Sequence, residues 1–247
     1  MNGYGRGFLG LPPVVKNIIM LNVLMILAYY AAGSVFGVDL NSLLGLYFPK
    51  SEQFKPVQII THMFMHGGFM HIFFNMYALF IFGPILENVW GPKRFLIFYL
   101  VCGIGAALTH ETVIFFQYNH LINSISPDNL QSVISEGTAY FRQGKVFSDS
   151  DMQSLQLLLN TPTVGASGAI FGVLLAFGVL FPNTQLFLLF PPMPIRAKYL
   201  VLGYGALELI LAITQPGSNI AHAAHLGGML FGYILIRYWR KTTNTLY

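Results

Sequence analysis

The stretch TVGASGAIFGVLLAFGVLF, residues 163–181, decides the fold because it is long and apolar. After Thr163, its only polar side chain is that of Ser167. About 20 apolar residues are enough to cross a membrane as a helix. Five other stretches share this character: residues 14–36, 69–89, 95–116, 197–214 and 220–238. The 247-residue chain is 55% hydrophobic and only 9% charged, whereas about a quarter of a soluble domain is charged. The sequence therefore predicts an all-α membrane protein, a bundle of six transmembrane helices in a single domain over residues 1–247.

The basic residues indicate how the bundle is oriented. Nine of the thirteen fall on one side of the six predicted spans: Arg6, Lys16, Lys93, Arg94, Arg196, Lys198, Arg237, Arg240 and Lys241. Loops rich in Lys and Arg stay in the cytoplasm, so both termini are predicted to be cytoplasmic. The first span is longer than the apolar core of a secretory signal, and we expect it to remain uncleaved. The net charge of +4 is explained by this topology, and the distribution of the basic residues gives no indication of nucleic-acid binding.

The largest change in composition lies between the third and fourth spans, at about residues 118–160. Asn, Ser, Gln, Asp and Glu replace the apolar residues there, and the segment is too long for a simple connector. It is predicted to be an external insertion, either a mobile loop or a small cap. Residues 153–159 have near-helical apolar spacing and are predicted to form a short amphipathic helix.

Two side chains within the apolar runs can form a proton-transfer pair. Ser167 stands in the run GASG at 165–168, and His225 stands in the run AHLGG at 224–228. Counted from the outer ends of their predicted helices, both lie roughly 6 to 8 Å deep at 1.5 Å per residue. The glycines around them allow two helices to approach closely. The alternative is that these glycines serve packing only and that Ser167 bonds to a carbonyl of its own helix.

The second span carries a third polar element in its first turns. His71 and Asn75 are four residues apart, so they share one face of a helix near the outer surface. Two such donors, together with a backbone N–H near Ser167, can stabilise the oxyanion of a tetrahedral intermediate. The alternative is a hydrogen-bond network that joins helices. His62 and His66 come just before and are predicted to be structural or to contact water.

Three motifs together resemble the rhomboid intramembrane serine proteases. They are GASG at 165–168, Ala-His-x-x-Gly-x-x-x-Gly at 224–232, and His-x-x-x-Asn at 71–75 after a Thr-His-x-x-x-His run. They lie on three predicted helices, and the resemblance covers nearly all of the hydrophobic chain apart from the insertion. It implies a six-helix bundle of the rhomboid type and hydrolysis of peptide bonds inside the membrane.

The resemblance also assigns roles to residues. Ser167 matches the nucleophile and His225 the general base, whereas His222 does not fit the family spacing. His71 and Asn75 match the positions that stabilise the oxyanion. A further match, Phe171, falls where an aromatic residue packs against the base. The family uses a Ser-His dyad with no carboxylate behind the histidine and needs no metal or organic cofactor.

Two features depart from that pattern or lie outside it. Many relatives carry Trp-Arg ahead of the second span, where this chain has Val57-Gln58. Glu208 is the only acidic residue well inside a predicted span, at a depth like that of Ser167. It could complete a triad, but the family precedent favours a protonated, hydrogen-bonded or cavity-facing carboxyl. On that basis the variant Glu208→Gln is expected to keep substantial proteolysis.

The predicted function is that of an intramembrane serine endopeptidase. Its partners would be transmembrane protein substrates and the lipid bilayer, in a bacterial plasma membrane with the site facing the external, periplasmic side. Two other functions stay open: a transporter or metal channel lined by histidines, and an inactive rhomboid-like protein that binds clients. A zinc protease is disfavoured because His110-Glu111 lacks the second histidine of His-Glu-x-x-His, and no predicted span contains the aspartates of an aspartyl protease.

Overall fold

A computed structural model describes residues 10–187, 193–215 and 221–242. The described residues form a helical bundle with one small antiparallel hairpin. The helices are α1 (Pro13–Phe36), α2 (Leu40–Leu44), α3 (Gln58–Thr61), α4 (Phe69–Trp90), α5 (Pro92–Ser124), α6 (Pro127–Arg142), α7 (Ser150–Asn160), α8 (Ser167–Leu180), α9 (Ala197–Thr214) and α10 (His222–Thr242). A 3₁₀ turn (His62–Phe64) follows α3, and strands β1 (Gln185–Phe187) and β2 (Pro194–Arg196) pair between α8 and α9. Arg6 and Ile220, used above for topology and for the start of the last span, lie outside the described residues.

The predicted all-α membrane fold is confirmed. Among the described helices, α1, α4, α5 and α9 are long and apolar enough to cross a membrane. Helix α8 is also apolar, but its 14 residues give a length of roughly 21 Å. Helix α10 has 21 residues and carries histidines at its start and basic residues in its last turn. The count of six spans and the cytoplasmic termini therefore stay predictions.

Helix α8 lies at the centre of the bundle. It packs against α4, α5, α9 and α10, and most of its residues are buried. Its small residues Gly168, Gly172 and Gly178 let neighbouring helices approach closely, which suits this central position. By contrast, α9 lies at the periphery. Its only buried residues are Ala197, Val201 and Glu208, so the rest of α9 is left for lipid.

The first helix is fixed to the bundle by a buried carboxylate. Glu87, near the end of α4, accepts hydrogen bonds from the backbone N–H groups of Val14 (2.9 Å) and Val15 (2.8 Å). These N–H groups belong to the first turn of α1 and have no partner within their own helix. A negative charge at a helix N-terminus is also favourable to the helix dipole. Glu87 thus acts as the cap that α1 lacks in its own sequence.

The polar insertion is helical and not a loop. Helix α5 continues to Ser124, beyond the predicted end of its span at residue 116, and is followed by α6 and α7. The helix predicted over residues 153–159 is confirmed and is longer than expected. Val133, Met152 and Leu155 form a small core of their own, against which the end of α5 packs. We call α6, α7 and the last turns of α5 the cap.

The connection between α1 and α4, residues 37–68, is hydrogen-bonded to the segment just before α8. Leu46 and Thr163 form a two-way backbone bridge of 2.9 and 2.8 Å. The backbone N–H of Gly165 donates to the carbonyl of His62 at 2.9 Å. Gln58 is fully buried and holds the connection together by donating to Leu43 O (3.3 Å) and to Gln53 O (3.1 Å). The connection therefore fixes the chain two residues before Ser167.

Candidate active site

Ser167 is the first residue of α8 and not a residue four positions inside it. The predicted helix over 163–181 starts late because Gly165 has φ +135°, a conformation that interrupts a helix and that side chains rarely allow. The N–H groups of the first turn of α8 have no partner within the helix. Ser167 is therefore at the positive end of the α8 dipole, where a developing negative charge is stabilised.

His225 lies in the first turn of α10, opposite Ser167. Its Nε2 is 2.8 Å from Ser167 Oγ, which is hydrogen-bond distance. In the tautomer that leaves Nε2 unprotonated, the serine hydroxyl donates to the imidazole. The pairing of the two side chains was predicted, but the expected depth inside both helices was wrong because α8 and α10 begin at Ser167 and His222. The two groups meet where two helix N-termini come together.

The approach of α8 and α10 depends on glycines. A Cβ at Gly228 would collide with the carbonyl oxygen of Gly168, and its distance to Gly168 Cα would be 3.2 Å. A Cβ at Gly172 would lie 3.0 Å from the Gly228 carbonyl oxygen, and one at Gly232 would lie 3.4 Å from Gly172 Cα. Four glycines thus replace side chains along one contact line. We call Gly168, Gly172, Gly228 and Gly232 the glycine junction.

An aromatic ring also packs against one face of the His225 imidazole. Phe171, one turn after Ser167 on α8, stacks on it with ring centroids 4.2 Å apart and an angle of 8° between the planes. This packing was expected from the family pattern and is confirmed. The stacked Phe171 ring limits tilting of the imidazole and so helps to keep Nε2 directed at Ser167 Oγ.

His71 and Asn75 lie on α4 as predicted, and the ring of His71 lies near Ser167. A Cβ at Gly165 would be 2.9 Å from His71 Nε2 and 3.6 Å from Ser167 Oγ, so both side chains approach the same point. The Asn75 amide donates to the carbonyl of His71 at 2.8 Å. An amide has two N–H groups, and this bond uses one of them.

Glu208 of α9 contacts two imidazoles at once. Its Oε2 is 2.6 Å from His222 Nδ1, and its Oε1 is 3.0 Å from His225 Nδ1. The bond to His222 is well aligned, whereas the ring N–H of His225 does not point straight at its oxygen. The expectation of a hydrogen-bonded carboxyl is therefore met, but one of the two partners is the candidate base itself. His222, which the sequence left without a role, belongs to the same group.

The same three side chains are also a potential metal-binding group. Glu208, His222 and His225 each offer a ligand atom, and these atoms lie within 4.8 Å of one another. A carboxylate with two imidazoles is a ligand set that Zn²⁺ accepts. The 2.6 Å contact is a hydrogen bond between His222 and Glu208, and the 3.0 Å contact is the distance of a His–Glu ion pair, so direct contacts among the three side chains explain the arrangement without an ion.

The two histidines of the connection, His62 and His66, are both buried. His62 is buried and its Nδ1 is 2.8 Å from the carbonyl of Gln58. His66 is 1% exposed, and its ring is 5.1 Å from that of His71. Burial lowers the pKa of His66 to about 4, with a smaller contribution from nearby His71. His66 is therefore neutral at physiological pH and acts as a packing residue beside the candidate oxyanion donors.

Comparison with protein families gives one domain match. The Rhomboid domain profile matches residues 53–126 and 129–242. The match includes α4, α5, α8 and α10, which carry every candidate site residue except Glu208, and it includes α9, which carries Glu208.

Individual relatives agree with this match. Rhomboid protease AarA of Providencia stuartii is 28% identical over 195 residues, which cover 74% of this chain and 57% of that protein. Putative rhomboid protease YdcA of Bacillus subtilis is 27% identical over 180 residues, covering 72% and 64% of the two chains. Rhomboid protein 1, mitochondrial, of Saccharomyces cerevisiae is 28% identical over 188 residues, covering 76% and 43%. The chain therefore spans about half the length of these relatives.

Proposed function

This chain belongs to the rhomboid family, and from that premise we propose that it is an intramembrane serine endopeptidase. It would hydrolyse peptide bonds in or near the transmembrane segments of other membrane proteins. The observation that carries the proposal is the 2.8 Å distance between Ser167 Oγ and His225 Nε2. A serine hydroxyl bonded to an imidazole is the arrangement that activates a serine as a nucleophile.

The proposed reaction begins with attack of Ser167 Oγ on the carbonyl carbon of the scissile bond. His225 Nε2 takes the hydroxyl proton and then gives it to the leaving amine, which leaves an acyl group on Ser167. Water, activated by His225 in the same way, hydrolyses this ester and restores the serine. No metal ion or organic cofactor takes part in these steps.

The oxyanion of the tetrahedral intermediate would be stabilised by three kinds of donor. The N–H groups at the start of α8 lie beside Ser167, and His71 approaches the same point across Gly165. The remaining N–H of the Asn75 amide is the third donor, because its first one is bonded to His71 O. Loss of a single such donor commonly lowers kcat about 100- to 1000-fold.

The substrate would be a transmembrane helix that is unwound near the cut, since a fully hydrogen-bonded helix does not offer its carbonyls to a nucleophile. Small or helix-breaking residues at the scissile bond are therefore expected. We place the protein in a bacterial plasma membrane as a single domain of six spans, with both termini cytoplasmic and the site toward the external side. The mitochondrial relative in yeast makes an organellar membrane the main alternative location.

Labelling with a fluorophosphonate tests the nucleophile directly. The wild-type protein, purified in detergent, should be labelled on Ser167 and should cleave a generic transmembrane substrate. Ser167→Ala and His225→Ala should lose both signals. Matched controls are Ser34→Ala and His120→Ala, which change exposed residues away from the site and should leave both signals intact.

Two results would contradict the proposal. A folded wild-type protein that binds transmembrane clients without labelling or cleavage would indicate an inactive rhomboid-like protein. Metal-dependent uptake into vesicles without labelling would indicate a transporter. In both cases Ser167→Ala would behave like the wild type.

A further inference from the structure

We propose that Glu208 is a positioning residue for the base, so that Ser167, His225 and Glu208 act as a triad in which His222 holds the second carboxylate oxygen. This inference rests on the proposed function, because it assigns a role in that same reaction. It reverses the expectation, based on the family's dyad, that Glu208→Gln keeps substantial proteolysis.

The geometry places the carboxylate where a third triad member belongs. A base that accepts the serine proton on Nε2 must carry its own proton on Nδ1, and Glu208 Oε1 lies 3.0 Å from that nitrogen. The carboxylate thereby favours the productive tautomer. It also stabilises the positive imidazolium that forms when His225 takes the proton from Ser167.

The orientation of α9 supports a specific role for this side chain. Burying a carboxylate at membrane depth costs several kcal/mol, by order of magnitude, unless its oxygens are satisfied. Helix α9 has only three buried residues, and Glu208 is the one with a charge. Both of its oxygens face imidazole nitrogens on the first turn of α10. The cost is therefore offset by His222, through a hydrogen bond of 2.6 Å, and by His225, through a contact of 3.0 Å.

His222 is suited to hold the carboxylate and not to replace it. Its Nδ1 is bonded to Glu208 Oε2, while its Nε2 is buried without a hydrogen-bond partner. A protonated His222 would leave a charged N–H unsatisfied in the protein interior, which is more costly than a neutral ring. A neutral His222 donates through Nδ1, so Glu208 retains the single negative charge of the group and directs it toward His225.

A purely structural role for Glu208, as a contact that holds α9 and α10 together, predicts a different result. Glutamine could fill that role, because it has nearly the same shape and can still form hydrogen bonds. It could not replace a positioning carboxylate, because the amide group is neutral and presents an N–H to one of the two imidazoles. The distinction therefore lies in the protonation of His225 and in kcat, and not in folding.

The test compares Glu208→Gln with the wild type and with Glu111→Gln, which changes a carboxyl on α5 that makes no hydrogen bond. In soluble serine proteases the loss of the triad carboxylate lowers kcat about 10⁴-fold. We expect a decrease of roughly 100-fold here, because Phe171 still holds the ring, with KM changed by less than about threefold. Glu208→Asp should recover part of the loss, and Glu111→Gln should match the wild type.

Nitrogen NMR of ¹⁵N-histidine-labelled protein provides a readout that does not depend on activity. The wild type should show His225 with its proton on Nδ1, assigned by comparison with His225→Ala, and Glu208→Gln should shift that tautomer balance. Wild-type kcat and unchanged His225 shifts in a folded Glu208→Gln protein would overturn the inference. Loss of the wild-type His225 signal pattern on chelation, restored by Zn²⁺, would also overturn it in favour of a metal site. If the wild type does not cleave, the NMR result still decides whether Glu208 fixes the His225 tautomer.

Discussion

The glycine junction and the cap are stabilised in opposite ways. At the junction, side chains are missing, and the backbones of α8 and α10 touch through Gly168, Gly172, Gly228 and Gly232. In the cap, side chains are present, and Val133, Met152 and Leu155 fill the space between helices. Contacts between backbones leave no freedom for adjustment, whereas a side-chain core can repack. The distance between Ser167 and His225 is thus set by the more rigid of the two regions.

The largest effect is expected from adding one methyl group to the junction. In Gly228→Ala the new Cβ would collide with the Gly168 carbonyl, so α8 and α10 must separate and the bond from Ser167 to His225 must break. We expect a loss of about 3 kcal/mol or more in the free energy of unfolding and no measurable cleavage. Thermal unfolding in detergent and a cleavage assay measure both quantities.

The matched control is Gly203→Ala on α9, where a Cβ would meet no atom within 4 Å. Alanine favours a helix more than glycine does, so this variant should be as stable as the wild type or slightly more stable. Equal stability of Gly228→Ala and Gly203→Ala would show that the helices are not in backbone contact.

Two buried glutamines allow a second test, because one serves each region. Gln58 holds the connection beside Ser167, and Gln156 holds the cap by donating to Gly137 O (2.9 Å) and to Lys145 O (3.2 Å). Both are fully buried. Each change to leucine removes two hydrogen bonds that the buried side-chain amide donates and should cost about 3 kcal/mol of stability.

The effects of the two variants on activity should differ. The Gln58 side chain fixes α3 against the rest of the connection, and α3 leads into the turn at His62, whose carbonyl accepts the N–H of Gly165. Gln58→Leu should therefore lower kcat about tenfold. Gln156→Leu should leave kcat within about twofold of the wild type. If the two variants lower kcat equally, the cap is as important as the connection for holding Ser167, and the contrast between the regions fails.

A smaller effect is expected at Phe171, which packs on the face of His225 without bonding to it. Stacking of this kind contributes about 0.5 to 1.5 kcal/mol, so Phe171→Leu should lower kcat by roughly three- to tenfold. The control is Phe80→Leu, an exposed position on α4, which should have no effect on kcat. An unchanged kcat in Phe171→Leu would mean that the hydrogen bonds alone orient the imidazole.

The sequence predicted which side chains meet at the site better than it predicted where they lie in their helices. Ser167 and His225 stand out because polar groups and glycines are unusual together in apolar runs, and the resemblance to the rhomboid family is confirmed. The depth of Ser167 was wrong because an apolar run does not show where its helix begins, and the positive φ of Gly165 delays the start of α8.

Other features depend on tertiary structure and have weak signals in the sequence. Hydropathy predicts where α5 leaves the membrane but not where the helix ends, so its extension to Ser124 was missed. The contact between Glu208 and His225 depends on how α9 and α10 are rotated toward each other. A lone acidic residue at the same depth as the base was the available signal, and the family precedent outweighed it.

The smallest effect on activity is expected from weakening the cap core. Leu155 of α7 is fully buried in the core of the cap, and Leu155→Ala should cost about 2 to 4 kcal/mol locally because it leaves a cavity. Hydrogen exchange should therefore increase in the amides of α6 and α7, while those of α8 and α10 keep their protection. The control Leu157→Ala, at an exposed position of the same helix, should change neither region. Because the cap has its own core, kcat in Leu155→Ala should stay within about twofold of the wild type; faster exchange in α8 as well would show that the cap and the glycine junction unfold as one unit.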